Sequence, residues 1–599
     1  MPDLLPPPPD AAERLAVIDA FASLPPQQRD ELANEITWLR LRGGEVLFRQ
    51  DEPADAALFI IRGRLRVFSV DVDGTERPIG DRAAGDPIGE VGVLADVPRT
   101  ATVRAVRDTD LARVDRETFD RLLRSTPSTM VPLVSTVARR MADALRGRPF
   151  ASAGISTLAV MVDPGTTDAT SVIDGLVEAL ERQGPTTRVR VDASPDSMTD
   201  AALIGYIDEQ EAQGRVTVID VEPTASEPAR RALRQADCVV VITDAGSRPV
   251  EGVTHTLLER LMADGALPTR ILVVLQPQWR ARPVASASQA EGFDLHFHVR
   301  PGARDDLDRL ARHLTARAIA LVLGGGGARG MSHIGAYRAL VEAGVPIDEV
   351  GGSSIGGVVA AQIALGWTPE ELLARNLEEW AAAHITRRVT IPLLSLLSPH
   401  SGIRMMEKMF GDADFEDLWL RCFVTAADLT DCRLAILDRG RVARWCLATA
   451  SPPGAWPPVV GDDGTLLVDG AVLDNLPVLP MRERGASRAI AVSVSQRVEM
   501  HAGAGVAQTP SPLEFARDLV RRDPGRSFPN LLQVLLRTSL VTGLARHDAS
   551  RAASDVYVEP AVGAFGMGSY DKGAQIAPLG YDAMRRALDE HADLLASWT

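Results

Sequence analysis

Cysteine is nearly missing from this chain, with 4 residues in 599: Cys238, Cys422, Cys432 and Cys446. None forms a CxxC pair or another metal-type spacing, so a disulfide scaffold and a zinc module are both excluded. Few, unpatterned thiols fit a reducing compartment. An excess of positive charge is missing too. Lys plus Arg is 64 against 80 Asp plus Glu, a formal net charge of −16, which argues against a nucleic-acid binder, since that needs a basic face. No uninterrupted apolar run reaches about 18 residues, so no transmembrane helix is expected. The opening MPDLLPPPPD is acidic and proline-rich. It has neither a basic n-region nor an apolar h-region, so it reads as a disordered leader over residues 1–10 and not as a signal peptide. No internal repeat with a period of 20–50 residues is visible. These absences together point to a cytoplasmic protein.

What is present is ample apolar material, 45% of the residues. A chain of this length holds about three or four domains. From 11 to 148 the pattern starts with a helical stretch, Leu15–Leu24. Short strand-like runs follow at Glu45–Phe48, Ala57–Ile61, Arg64–Val70, Thr102–Val106 and Asp110–Val114. Turn signals such as Arg62-Gly63 and Asp73-Gly74 separate them, which predicts a small β-roll. Helical periodicity returns over 117–146, with Leu133, Val137 and Met141 recurring every four residues. From 155 to 304 strands alternate with helices, the signature of a parallel, Rossmann-like α/β sheet. Its first strand–helix turn, DPGTTDATS, lacks GxxxxGK[ST] and makes a poor phosphate cradle, so this domain reads as structural. A second α/β pattern runs from Ile319 to about 483. Residues 484–599 read as a helical extension, with a surface loop at 501–512 and an apolar stripe at Leu531–Leu544.

The second α/β segment holds the chemistry. The apolar strand Ile319–Leu323 runs into Gly324-Gly-Gly-Gly-Ala-Arg-Gly330 and then a helix. Four glycines there let the backbone approach another group closely, and their N–H groups at a helix start form an anion nest. Arg329 adds positive charge. Taken alone, Gly325-x-Gly327-x-x-Gly330 with Asp348 downstream also reads as a dinucleotide fingerprint. The following Gly352-Ser353-Ser354-Ile355-Gly356 fits G-x-S-x-G. Glycines on both flanks allow Ser354 a tight strand-to-helix turn with its hydroxyl exposed. A serine nucleophile needs a base. The later histidines, His384, His400, His501, His547 and His591, sit in no triad context. Asp469, at the end of the apolar run Thr465–Val468 and followed by Gly470, Ala471 and Asn475, can serve as base if it reaches the hydroxyl.

A second cluster lies in the first domain: Gly89-Glu90-Val91-Gly92, then Pro98-Arg99-Thr100. A buried arginine pairs bidentately with phosphate. A helix start at Gly89–Val91 offers N–H groups to the same anion, and Glu90 can accept from a ribose hydroxyl.

The joint pattern of glycine nest, G-x-S-x-G and Asp-Gly-Ala resembles a patatin-like phospholipase domain over about 319–483. GGGGARG, GSSIG and DGAVLDNLP stand for that family's three motifs in order, and ATASPPGAWPPVV also resembles a family stretch. The resemblance implies a carboxylic-ester hydrolase with a Ser–Asp dyad. Ser354 would be the nucleophile and Asp469 the proton acceptor. Gly325, Gly326 and Gly327 would form the oxyanion hole supported by Arg329, with Gly352 and Gly356 framing the elbow. It implies no metal and no catalytic cofactor. The cluster at 89–100 resembles the phosphate cassette of cyclic-nucleotide-binding domains. That implies cAMP or cGMP as regulatory ligand, with Arg99 on the cyclic phosphate, Glu90 on the 2′-OH, and Thr100 on phosphate or purine. The domain order resembles bacterial relatives of neuropathy target esterase, which implies phospholipid or lysophospholipid esters as substrates and transient contact with the inner membrane face. In that setting Leu531–Leu544 is either a core helix, the favoured reading, or a lipid-facing one. The expected fold class is therefore multidomain α/β: β-roll with helices, central Rossmann-like domain, patatin-like hydrolase domain. Two alternatives stand beside it. An inactive, nucleotide-responsive scaffold would leave Ser354 unreactive to fluorophosphonates, and a Rossmann-type cofactor enzyme would bind nicotinamide.

Overall fold

The computed structural model describes the chain apart from residues 1–2, 17, 71–73, 126–130, 132, 139–153, 192–198, 225, 248–251, 264–265, 278–281, 284–289, 384–394, 496–508, 522–527, 530–533, 535–537, 539–542, 544–545 and 599. Two units emerge: Met1–Ala318 with Arg482–Ser487, and Ile319–Met481 with Arg488–Thr599.

The first unit begins with an antiparallel roll of two sheets. One runs in the order Asp3–Leu5, Thr37–Leu41, Thr109–Asp115, Ala56–Arg62, Pro87–Ile88. The other runs Val46–Phe48, Thr102–Ala105, Arg64–Val70, Glu76–Ala83. Leu41, Ile60, Leu65 and Leu111 fill the space between them. Every strand expected from the alternating pattern is present. Asp3–Leu5 departs from the leader expected over 1–10: it pairs antiparallel with Trp38–Arg40, because an extended segment satisfies the open edge of the Thr37–Leu41 strand. Helical periodicity after 116 is realised as Arg116–Ser125, and Met141 lies outside the described residues.

The same unit continues into an open, all-parallel sheet in the order Thr186–Val191, Val216–Val221, Thr157–Val162, Cys238–Asp244, Thr269–Leu275, Leu295–Val299. Its central strands, such as Thr157–Val162 and Cys238–Asp244, are apolar on both faces because helices cover both. Leu158 and Val160 join one core and Ala159 and Met161 the other. The first strand–helix turn is filled from within: the Thr167 N–H donates to Asp244 Oδ2 at 3.1 Å.

Buried charge joins the roll to this sheet. Asp237 is met by Arg64 Nε at 3.2 Å and by Arg107 Nε at 2.7 Å. It also accepts the Ser156 and Thr157 N–H groups at 2.8 and 3.1 Å. Burial alone raises the Asp237 carboxyl, but Arg107, Arg64 and the two N–H groups outweigh it and hold the carboxyl below its usual range. Arg107 pairs with Glu211 as well, and Arg62 reaches Asp208 at 3.3 Å.

The second unit is a mixed sheet in the order Val459–Val460, Leu466–Asp469, Arg421–Asp428, Glu349–Ser353, Ile319–Leu323, Arg488–Val492, Val556–Val558, with Arg433–Leu437 also on Arg421–Asp428. Residues 484–599, expected as a helical extension, thus supply two parallel strands as well as the helix Gly573–Glu590. The β-branched runs around Val492 and Val556 extend the sheet where its edge would otherwise be open. Of the stripe Leu531–Leu544, all but Val534, Thr538 and Gly543 lie outside the described residues. No helix among the described residues is long and apolar enough to cross a membrane.

Removing one member of a buried ion cluster strands its partners. Asp237→Ala is expected to lower the stability of the first unit by roughly 3–5 kcal/mol, seen as an earlier urea transition. A loss within about 0.5 kcal/mol, the range of ordinary surface changes, contradicts a dry charge cluster at this contact.

Candidate active site

Strand register brings two distant segments together. Leu323 stands beside Gly352, Ser353 beside Thr425, and Ala426 beside Asp469. The ends of three strands therefore share one rim beside Arg421–Asp428, with residues 324, 354 and 469 on it. Ser354 sits there at φ 54° and ψ −131°, a strained conformation for a side-chain-bearing residue that persists only where its surroundings enforce it. The flanking glycines make room. A Cβ on Gly352 would lie 2.6 Å from the Leu323 carbonyl oxygen, and one on Gly356 would lie 2.5 Å from the Leu323 carbonyl carbon. The Ser354 N–H is held by Thr449 Oγ1 at 2.9 Å.

The Ser354 hydroxyl donates to Asp469 Oδ2 at 2.7 Å, while the Ala471 N–H donates to Asp469 Oδ1 at 2.9 Å. Asp469 is buried. Burial pushes its carboxyl up to about 7, against smaller lowering effects from the Ala471 N–H and the Ser354 hydroxyl. Among the described residues no histidine hydrogen-bonds to either member of the pair. His384 and His501 lie outside the described residues. His333, which no sequence motif marked, does have a part here. Its Nε2 donates to the Gly324 carbonyl at 2.7 Å. Burial pushes the ring down to about 4, so it stays neutral and braces the start of the glycine loop.

That loop lies against the serine. A Cβ on Gly325 would fall 2.8 Å from Ser354 Cβ. Of the three glycines expected to donate, Gly325 is committed elsewhere: its N–H goes to the Asn475 carbonyl at 3.1 Å. Among the described residues the Gly326 and Gly327 N–H groups make no hydrogen bond, while the Ala328 N–H is taken by the Met567 carbonyl at 2.8 Å. Arg329 does not ion-pair among the described residues. Its Nε donates to the Phe565 carbonyl at 2.7 Å, and burial lowers its guanidinium. It ties the loop to the 565–570 segment, which forms a second wall. The sequence showed Asn475 six residues after Asp469, and Thr449 inside ATASPPGAWPPVV, without giving either a role, and nothing in it marked Ser495 or Met567.

The second predicted cluster also comes together. Gly89, at φ 72°, opens the helix Glu90–Ala95. Glu90 and Arg99 are both buried, Val91 is half-buried and Thr100 exposed. Arg99 Nη1 donates to the Ala56 and Gly89 carbonyls at 2.9 and 3.0 Å. The guanidinium stacks 4.3 Å from the Phe48 ring centre. Asp55 lies 3.4 Å from Nη2, and Nε is buried with no hydrogen-bond partner among the described residues. Burial, with the neighbouring Arg113 cation, pulls the guanidinium below its ordinary value against the opposing pull of Asp55, Glu52 and Glu90. This cation is under-compensated. Among the described residues no group of three or more His, Cys, Asp and Glu side chains could hold a metal ion.

Two family models match stretches that contain these clusters. Residues 321–482 match the patatin-like phospholipase family and residues 38–126 match the cyclic nucleotide-binding domain. The chain is 31% identical over 520 residues to patatin-like phospholipase domain-containing protein 6 of Pongo abelii, covering 78% of this chain and 38% of that protein. It is 28% identical over 522 residues to neuropathy target esterase sws of Drosophila melanogaster, covering 77% and 36%. It thus spans well under half the length of these curated relatives. The sensor domain of the transcriptional regulator DNR from Pseudomonas aeruginosa matches 22% of this chain and 89% of its own, at 25% identity and a TM-score of 0.21. The chain carries a patatin-like phospholipase domain and a cyclic nucleotide-binding domain, and its homologues are neuropathy-target-esterase-like proteins. The family resemblance read from the motifs is borne out.

The buried carboxyl has a consequence for stability. With its native pKa above the unfolded value, the folded state holds the extra proton between the two values. Stability therefore falls as pH rises through that window, and the full cost is reached above about pH 7. Keeping this carboxyl charged in its buried place costs the folded state on the order of 4 kcal/mol there. Asp469→Asn is expected to raise the melting temperature over wild type more at about pH 9 than at about pH 5. An equal change at both contradicts a raised carboxyl.

Proposed function

We propose that this chain is a serine hydrolase that cleaves acyl esters of phospholipids or lysophospholipids. The observation that carries the reading is the 2.7 Å hydrogen bond from Ser354 to a buried carboxylate, beside two glycine N–H groups without partners among the described residues. Asp469 takes the hydroxyl proton as Ser354 Oγ bonds to the acyl carbon. The carbonyl oxygen becomes an oxyanion facing Gly326 and Gly327, where each good donor contributes about 3–4 kcal/mol. When the intermediate collapses, the ester C–O bond breaks and the departing alcohol carries off the proton from Asp469. Water then attacks the acyl-enzyme, giving its proton to Asp469, and Ser354 recovers its own as the fatty acid leaves. A base poised near 7 suits this exchange at neutral pH.

The homologues' names support a lipid ester as substrate, and the exposed Met567 beside Gly327 offers an apolar rim for an acyl chain. We place the protein in the cytoplasm with transient contact on the inner membrane face. In the roll we read Arg99 as the seat of a cyclic phosphate, Glu90 as acceptor from the 2′-OH, and Gly89, Val91 and Thr100 as the rest of the cassette. Nucleotide then alters turnover by binding two states of the protein with different affinity.

Ser354→Ala is expected to lower hydrolysis of a lysophospholipid by roughly 10³-fold or more with an unchanged circular dichroism spectrum. In wild type, kcat/KM should fall on the acid side of about pH 7 as Asp469 gains its proton. Full residual activity in the variant ends the assignment, and a flat profile between about pH 5 and 8 removes Asp469 as base. Arg99→Ala is expected to abolish cAMP and cGMP binding by calorimetry. Unchanged affinity would refute the cassette, and binding that leaves turnover of a lipid panel unaltered would refute regulation.

A further inference from the structure

Asn475 holds Gly325 of the glycine loop through both of the peptides that flank it. Its carbonyl accepts the Gly325 N–H at 3.1 Å, and its side-chain Nδ2 donates to the Gly325 carbonyl at 3.1 Å. Ser495 Oγ donates to that same carbonyl at 2.9 Å. Asn475 Nδ2 closes the triangle onto Ser495 Oγ at 2.5 Å. Asn475 is 5% exposed, so water competes little for these bonds.

The Gly325 carbonyl and the Gly326 N–H belong to one planar trans peptide and point in opposite directions. Holding the carbonyl on Asn475 and Ser495 therefore fixes the Gly326 N–H on the other side of the plane. That N–H is one of the two left without a partner among the described residues. Both residues of this peptide are glycines, with no Cβ to resist a rotation of the plane. Side-chain donors, and not backbone sterics, hold its orientation. The grip sits next to the nucleophile: a Cβ on Gly325 would touch Asn475 Oδ1 at 2.5 Å and Ser354 Cβ at 2.8 Å.

We infer that Asn475, with Ser495 as second donor, is a positioning residue for ester hydrolysis: it keeps the Gly325–Gly326 peptide from flipping, so that the Gly326 N–H stays aimed at the oxyanion. This rests on the hydrolase reading above and acts through Gly325, without contact to the reacting atoms.

The test compares wild type, Asn475→Ala, Asn475→Asp and Ser495→Ala on a p-nitrophenyl acyl ester, with active sites titrated by fluorophosphonate. Asn475→Asp keeps the size and the backbone carbonyl but loses both N–H donors. Per-site kcat is expected to fall about 10- to 100-fold in both Asn475 variants, with KM within about twofold. Affinity for an alkyl trifluoromethyl ketone, which places an oxyanion in the loop, should fall by the same factor as kcat/KM. A merely structural role would lower the titrated fraction but leave per-site kcat and ketone affinity unchanged, and that result overturns the inference. Should the Asn475 variants not fold, Ser495→Ala carries the test: about a three- to tenfold loss in per-site kcat and in ketone affinity is expected, and no loss in either overturns it. A wild-type chain without esterase activity defeats the hydrolase reading itself, whereas an active wild type with fully active variants defeats only the clamp.

Discussion

One hydrogen bond, from the Ser354 hydroxyl to a carboxylate removed from water, organises the second unit. It exists because a parallel strand ending at Ser353 and an antiparallel strand ending at Asp469 flank the same central strand, in registers that differ by one residue. It demands a strained backbone at Ser354, which in turn demands glycine at 352 and 356. It also demands burial, and burial works in two directions. Removing Asp469 from water raises its proton affinity to the level a base needs at neutral pH, and the same desolvation costs the folded state. The pair supports chemistry at the expense of stability, and the surrounding apolar core carries that expense.

Two strand–helix turns of the chain show how a few residues decide whether such a turn is open to a ligand. After Val162 the turn residues are Thr166 and Thr167, and the neighbouring strand ends in Asp244, whose carboxylate accepts from Thr167. The turn satisfies itself. After Leu323 the turn is all glycine, its outer peptide is held by Asn475, and two N–H groups are left over. In the roll, Arg99 follows the open pattern: it is a buried cation whose carboxylate neighbours do not balance its burial and the repulsion of Arg113. The buried charges around Asp237 are balanced instead, and they serve to join roll and sheet.

Much of this was legible in the sequence, and for identifiable reasons. Apolar runs such as Thr157–Val162 and Ile319–Leu323 are strands because both faces are covered, so periodicity and composition agree. G-x-S-x-G and Asp-Gly-Ala carry their geometry locally, since glycine is the residue a tight elbow requires. Glu76–Ala83 and Leu295–Val299 were not legible. The first is a polar edge strand without alternation, and the second is broken by two histidines, so tertiary pairing alone makes them strands. Asp3–Leu5 likewise owes its conformation to an open neighbouring edge. At the site, Gly325, Gly326 and Gly327 looked equivalent, and only the fold separates the one whose N–H is spent on Asn475 from the two that are not. His333, Thr449 and Ser495 act through individual side-chain hydrogen bonds to the site's backbone, which leave no trace in spacing.

The central claim is that Ser354 is an activated nucleophile facing a fixed oxyanion site. The most direct measurement is a crystal structure of the chain after reaction with an alkyl fluorophosphonate. The account predicts phosphorus bonded to Ser354 Oγ and a phosphonyl oxygen about 2.7–3.1 Å from the Gly326 nitrogen. An unmodified Ser354, or an adduct whose oxygens all turn away from the glycine loop, would contradict it.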